Sequence, residues 1–233
     1  MSMTTDAALF DLLSWMSPAW PIGAFAYSSG IEWAVEAGHV TNRASAEDWI
    51  GDMLDHGALW NDAVLLVHAW RATAAGDGAR LAEVAELAAA SLTSFERRLE
   101  ATAQGAAFRR IATAATPAPA LAMLDAIDDA DLAYPVAVGC LAAAHGIPLA
   151  PALTGWLHAA ISNLVSAALR LVPLGQTDGQ RILASLKPRI LALAERAAAL
   201  PDSDPFAAMA SATLVAEFAS LAHETQYTRL FRT

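Results

Sequence analysis

Six histidines, His39, His56, His68, His145, His158 and His223, are the side chains best suited to ligate a metal or move a proton, and no two stand three or four positions apart. That spacing is what puts two ligands on one face of a helix, so no metal site is expected. Each histidine reads instead as a surface or hydrogen-bonded residue. His223 and Glu224 are adjacent rather than facing and make a poor chelate. The chain has no phosphate-cradling G-x-x-x-x-G-K-[ST], no G-x-G-x-x-G, no H-E-x-x-H and no G-x-S-x-G elbow, the local arrangements behind much nucleotide, peptide and ester chemistry. Catalysis is disfavoured and no cofactor is expected. Seven tryptophans read as core or interface anchors,.

Three segments ask for more than packing. Pro18 to Glu32 joins two prolines, two glycines and aromatic Trp20, Phe25 and Tyr27 in a stretch too stiff and apolar for a solvated loop, with the Tyr27 hydroxyl and Glu32 carboxylate as polar handles,. Asn163 and Arg170 lie in an apolar helical stretch and need internal hydrogen bonds,. They lead into Pro173 to Arg181, where Gln176, Asp178 and Gln180 gather at a helix start; Thr177 or Asp178 can serve there as its N-cap,. The third segment is the end, His223 to Thr233, which places Tyr227, Leu230, Phe231, Arg229 and Arg232 where chain termini are usually polar and frayed,. Aromatic and arginine side chains anchor interfaces, so residues 224–233 read as a docking tail for a partner protein.

The elements that hold these segments are helical throughout. Alanine makes up roughly a quarter of the chain while β-branched and aromatic residues are sparse, a balance that favours helix and excludes an all-β fold. Apolar spacing predicts a helix over 6–16, and a short one over 30–37 that Ser28 or Ser29 caps and Gly38 ends. Ser45 with Asp48 resembles a capping box for a helix running to about Thr73,. Gly57 weakens that helix midway. One or two helices follow over 80–113, then helices over 132–145, 151–171, 178–200 with a bend at Pro188, and 205–222 capped by Asp204,. About eight helices result, packed as one domain spanning 1–233, because composition does not change across the one linker candidate, Thr116 to Pro119.

Charge and hydropathy limit the partners. The formal net charge is −10 from 14 Lys+Arg against 24 Asp+Glu, which works against nucleic acid and anionic lipid. Cys140 is the only cysteine, so no intrachain disulfide forms and a reducing cytoplasm fits,. The start lacks the features of a signal peptide. The weakly charged stretch 132–175 is cut by Pro135, Pro148, Pro151 and Pro173, and its longest piece reads as a buried helix rather than a membrane span.

Taken together, three motifs closely resemble the UreF family of urease accessory proteins, which assist nickel insertion into urease. They are Pro18 to Glu32 with its Tyr27-Ser28-Ser29-Gly30-Ile31-Glu32 end, Ser162 to Gln180, and the tail with His223-Glu224 and Arg229-Leu230-Phe231-Arg232. Ala26 stands where serine is common, and Trp20, Ile22, Thr228 and Thr233 are further mild departures. The resemblance implies an all-α, non-catalytic protein of the cytoplasm that forms a homodimer and binds the urease accessory D protein, called H in some organisms. It implies that this platform recruits the nickel-carrying GTPase accessory G protein and acts on apo-urease. It carries an interface role to Tyr27, Ser28, Glu32, Gln176, Asp178, Gln180, Tyr227, Arg229, Leu230, Phe231 and Arg232. Nickel cation binding enters through the assembly, since the histidine spacing favours shaping the complex over holding the metal. The competing reading is an all-α enzyme with a small-molecule pocket lined by Tyr27, Glu32, His158 and Asp178; a weaker one is a nickel carrier in its own right.

Overall fold

Local capping sets most helix boundaries. In the computed structural model, which describes residues 5–210 and 213–233, Thr5, Asn42, Asp77 and Ser94 each accept a hydrogen bond from a first-turn backbone N–H,. They open α1 (Asp6–Trp15), α3 (Arg43–His56), α5 (Gly78–Ala90) and α6 (Phe95–Ala115). Between and after them stand α2 (Ile31–Glu36), α4 (Ala58–Ala74), α7 (Tyr134–Ala144), α8 (Leu149–Leu171), α9 (Gln176–Ala198) and α10 (Leu214–His223). These ten α-helices and three short 3-10 turns are all-α, with no strand among the described residues.

Several boundaries differ from the sequence reading. The helix expected to cross Gly57 breaks there, because Gly57 is extended (φ −109°, ψ −160°) and separates α3 from α4. The capping box of α3 is Asn42 with Ser45, not Ser45 with Asp48: each side chain accepts the other's backbone N–H at 3.1 Å,. Pro188 lies inside an uninterrupted α9, which begins at Gln176 with Gly175 at the N-cap position, so neither Thr177 nor Asp178 is the cap. The helix expected from Pro205 is only a 3-10 turn to Ala208; Asp204 does cap it, accepting from Phe206 N at 3.0 Å, and α10 starts at Leu214.

Helix α7 is buried from Pro135 to Ala142 and packs along α4, whose Ala63 to Ala69 stretch is also buried. Around this pair sit α3, α5, α6, α8 and α9, with α8 and α9 packed on each other and α10 on α2. Helix α8 is the one described helix long and apolar enough to cross a membrane, yet half of its most apolar window is buried inside the fold. The α4–α7 approach depends on Gly139: a Cβ there would stand 2.5 Å from the Leu66 carbonyl oxygen and 3.1 Å from Ala69 Cβ. Interiors packed this closely resist an added methyl. Gly139→Ala is therefore expected to lower stability by about 1–3 kcal/mol despite alanine's better helix propensity, seen as a lower urea midpoint with unchanged slope.

Candidate functional site

The tail is folded back onto the body. Its last residues run beside the segment before α2: Arg232 N donates to Ala26 O (2.9 Å), Ser28 N to Thr233 O (2.8 Å) and Ser28 Oγ to the same carbonyl (2.6 Å). Ser29 and Gly30 both take left-handed φ values, 52° and 83°, turning the chain into α2. A Cβ on Gly30 would also stand 2.9 Å from Ser220 N on α10, so glycine permits both the turn and the close approach. Glu32, in the first turn of α2, then lies under the tail. Its carboxylate accepts from Leu230 N (2.6 Å) and Phe231 N (2.9 Å).

The same carboxylate meets His223, the fully buried last residue of α10, at Nε2 (3.0 Å), while His223 Nδ1 meets Glu96 Oε2 of α6 at 2.7 Å. Both ring nitrogens face carboxylate oxygens, so both contacts are hydrogen bonds only with a proton on each nitrogen or on a carboxyl. Arg229 Nη1 donates to the other Glu96 oxygen at 2.9 Å. Two glutamates are thereby matched by an imidazole and a guanidinium, the pairing that buried charge requires. Arg170 adds a clamp from α8: its guanidinium carbon lies 4.1 Å from the Phe231 ring centroid and 4.6 Å from that of Phe25, and Nη2 donates to Phe25 O at 2.7 Å,. Phe231 is buried in consequence, whereas Tyr227 and Leu230 point to solvent.

Beside the tail lies a cavity of about 780 Å³ between the Pro18 to Phe25 loop and α1, α3, α4, α6, α7 and α8. Its walls include Trp15, Trp20, Trp156 and Tyr134, and one side is charged by Asp62, Arg97 and Glu100. Glu100 is fully occupied, accepting from Ser29 Oγ (2.9 Å), Arg97 Nη1 (2.9 Å) and Thr233 Oγ1 (3.2 Å). Asp62 accepts no hydrogen bond among the described residues and has Arg97 Nη2 at 4.0 Å. Burial pushes its carboxyl up to about 6; Arg97 opposes the rise, and Glu100 and Glu217 add to it.

Residues 40–187 match the UreF family profile. Urease accessory proteins UreF from two strains of Rhodopseudomonas palustris are 53% identical (HaA2) and 54% identical (BisB5), each over 100% of this chain and over 96% and 94% of their own lengths. The corresponding protein of Bradyrhizobium diazoefficiens is 54% identical over 97% of this chain and 92% of its own length. The chain belongs to the UreF family of urease accessory proteins.

In this UreF-family fold the residues singled out in the sequence fall into two groups. Tyr27, Ser28, Glu32, Arg229, Leu230, Phe231 and Arg232 come together at the tail, with Asn163 Nδ2 donating to Tyr27 O at 3.4 Å and Tyr227 at the outer edge. Gln176, Asp178 and Gln180 stand apart at the start of α9. There Asp178 accepts from Gly175 N (3.3 Å) and Arg181 Nη1 (3.1 Å), and no hydrogen bond joins the three to the tail among the described residues. The four residues of the enzyme reading are not assembled: His158 lines the cavity, but Tyr27, Glu32 and Asp178 do not. No cluster of three His, Cys, Asp or Glu side chains able to hold a metal occurs among the described residues. Sequence reasoning missed Glu96, Glu100 and Asp62, and took His223 only with its neighbour Glu224. A helix position within an alanine-rich stretch gave no signal for them.

Two outcomes follow from this chemistry. Glu32→Gln is expected to speed hydrogen exchange at the Leu230 and Phe231 amides by roughly ten- to a hundredfold, since hydrogen bonds to a charged acceptor are the stronger kind; exchange mass spectrometry reads it directly. For Asp62 the folded carboxyl holds its proton more tightly than an unfolded one, so its contribution is present below the ordinary value of 3.8 and lost as pH rises through about 6,. Asp62→Asn is expected to raise stability by about 1–3 kcal/mol near pH 7.5 and to give no gain near pH 4, measured as denaturation midpoints at the two pH values.

Proposed function

We propose that this chain serves urease maturation as a non-catalytic platform whose tail face binds the urease accessory D (H) protein. The platform, working as a homodimer in the cytoplasm, recruits the nickel-carrying GTPase accessory G protein to apo-urease. Nickel stays with the partners, and the role of this chain is to shape the assembly and influence the GTPase. The single observation that carries this reading is the division of labour along the tail. Phe231, Arg229 and the backbone of 230–231 are spent on the body through Glu32, Glu96 and Arg170, while Tyr227 and Leu230 are left exposed.

A tail held from below and apolar on its outer side suits recognition, because preordering lowers the entropy lost on binding. Helix α10 continues the apolar surface with exposed Leu214, Val215, Phe218 and Leu221, an array of the kind that marks interaction sites. The relatives named urease accessory proteins supply the process; the residues supply the face. Gln176 and Gln180, exposed at the start of α9 beside Asp178, are a second contact region in this reading. Ser28 acts through the tail, by fixing Thr233, and Tyr27 stands between the two backbone bonds that Ala26 and Ser28 make to it.

The test is co-expression with the D and G proteins followed by size exclusion. Tyr227→Ala with Leu230→Ala is expected to abolish co-elution while leaving the tail amides as protected as in the unaltered chain. Deletion of 224–233 is expected to abolish it as well. Normal assembly of either variant would overturn the tail-face reading.

A further inference from the structure

The cavity has a carboxylate on its wall that no hydrogen bond satisfies among the described residues. That group is Asp62, since Glu100, the other carboxylate there, is taken by Ser29, Arg97 and Thr233. Two carboxylates against one guanidinium leave the wall with an excess of one negative charge when both are ionised. The remaining lining is largely aromatic and aliphatic, including Trp15, Met53 and Tyr134. At about 780 Å³ the space lies in the size range of sites for small organic molecules.

We propose that this cavity binds a small organic amine. Its protonated nitrogen sits on Asp62, and its aromatic or aliphatic body lies against the apolar lining. A carboxylate of the same shape is disfavoured by Asp62 and Glu100, and a hydrocarbon leaves Asp62 unmet. Arg97 gives Asp62 its charge at a distance but no hydrogen bond, because its Nη1 is committed to Glu100 and Ser29 and its Nη2 stands 4.0 Å from Asp62. The site is independent of the tail-face reading: no partner protein is needed to fill it.

Three probes that share one frame separate the possibilities: 2-phenoxyethylamine, 2-phenoxyethanol and phenoxyacetate, titrated into the full chain by calorimetry and tryptophan fluorescence. The amine is expected to bind saturably and tightest, and phenoxyacetate weakest. Asp62→Asn should bring the amine down to the alcohol's affinity, a loss of about tenfold, as expected for one charge-assisted hydrogen bond. Affinity for the amine should also fall as pH drops through about 6, where Asp62 takes up its proton. The charged and titratable neighbours at this site are Arg97 and Glu100 from α6, Glu217 from α10 and His158 from α8. Absence of saturable binding at concentrations up to roughly 10 mM, the range of the weakest specific affinities, would mean that the cavity holds only water and would overturn the proposal. Equal affinity for all three probes, or an amine affinity untouched by Asp62→Asn in a variant with unchanged helical content, would overturn it too.

Discussion

The imidazole of His223 is buried with a glutamate oxygen on each ring nitrogen, and the placement of α2, α6, α10 and the tail depends on that arrangement. Two carboxylates taken out of water repel each other and lose hydration, so they are tolerable only with cations and hydrogen-bond donors between and around them. His223 supplies the bridge, Arg229 neutralises Glu96 from the other side, and two backbone amides of the tail complete Glu32. Remove one member and the others become unpaired buried groups, a larger loss than the bond itself. The tail is thus part of the satisfaction of the helix bundle's interior, and the interior in turn fixes the tail.

This constraint explains an unusual chain end. A terminal decapeptide ordinarily frays because it has too few contacts to offset its conformational entropy. Here the ordering is distributed: Thr233 is anchored through its carbonyl to Ser28 and through its hydroxyl to Glu100, Phe231 is covered by Arg170, and Arg229 is tied to α6. The Tyr227 and Leu230 side chains are left outward, and of these two residues the Leu230 backbone N–H, bonded to Glu32, is what holds the tail. Anchoring and display are separated residue by residue along the tail.

Glu100 joins this tail to the cavity. One carboxylate accepts from Thr233, Ser29 and Arg97, so the end of the chain, the turn before α2 and the charged wall of the cavity share a hydrogen-bond network. Because Glu100 is satisfied there, Asp62 is left as the carboxylate that burial raises towards neutrality. The division follows from geometry: Glu100 stands three residues after Arg97, one helical turn along α6, whereas Asp62 reaches it only across helices at 4.0 Å,.

The all-α class, most of the helices and the family were legible from residues alone, because helix formation is decided within a few positions by caps, propensity and apolar spacing. Thus α1, α7 and α8 fall close to where their periodicity puts them, and the motifs at Pro18 to Glu32, Ser162 to Gln180 and the tail carry the family resemblance. The misread boundaries at Gly57, Asn42 and Pro205 are places where two local signals compete, as at α3, where Asn42 and Ser45 form the capping box one turn before the expected pair. The clamp itself could not be read in this way. Glu32 and His223 are 191 positions apart and Glu96 and His223 are 127 apart, so no spacing rule relates them. A buried charge declares its partner only when the helices that carry both have been packed together.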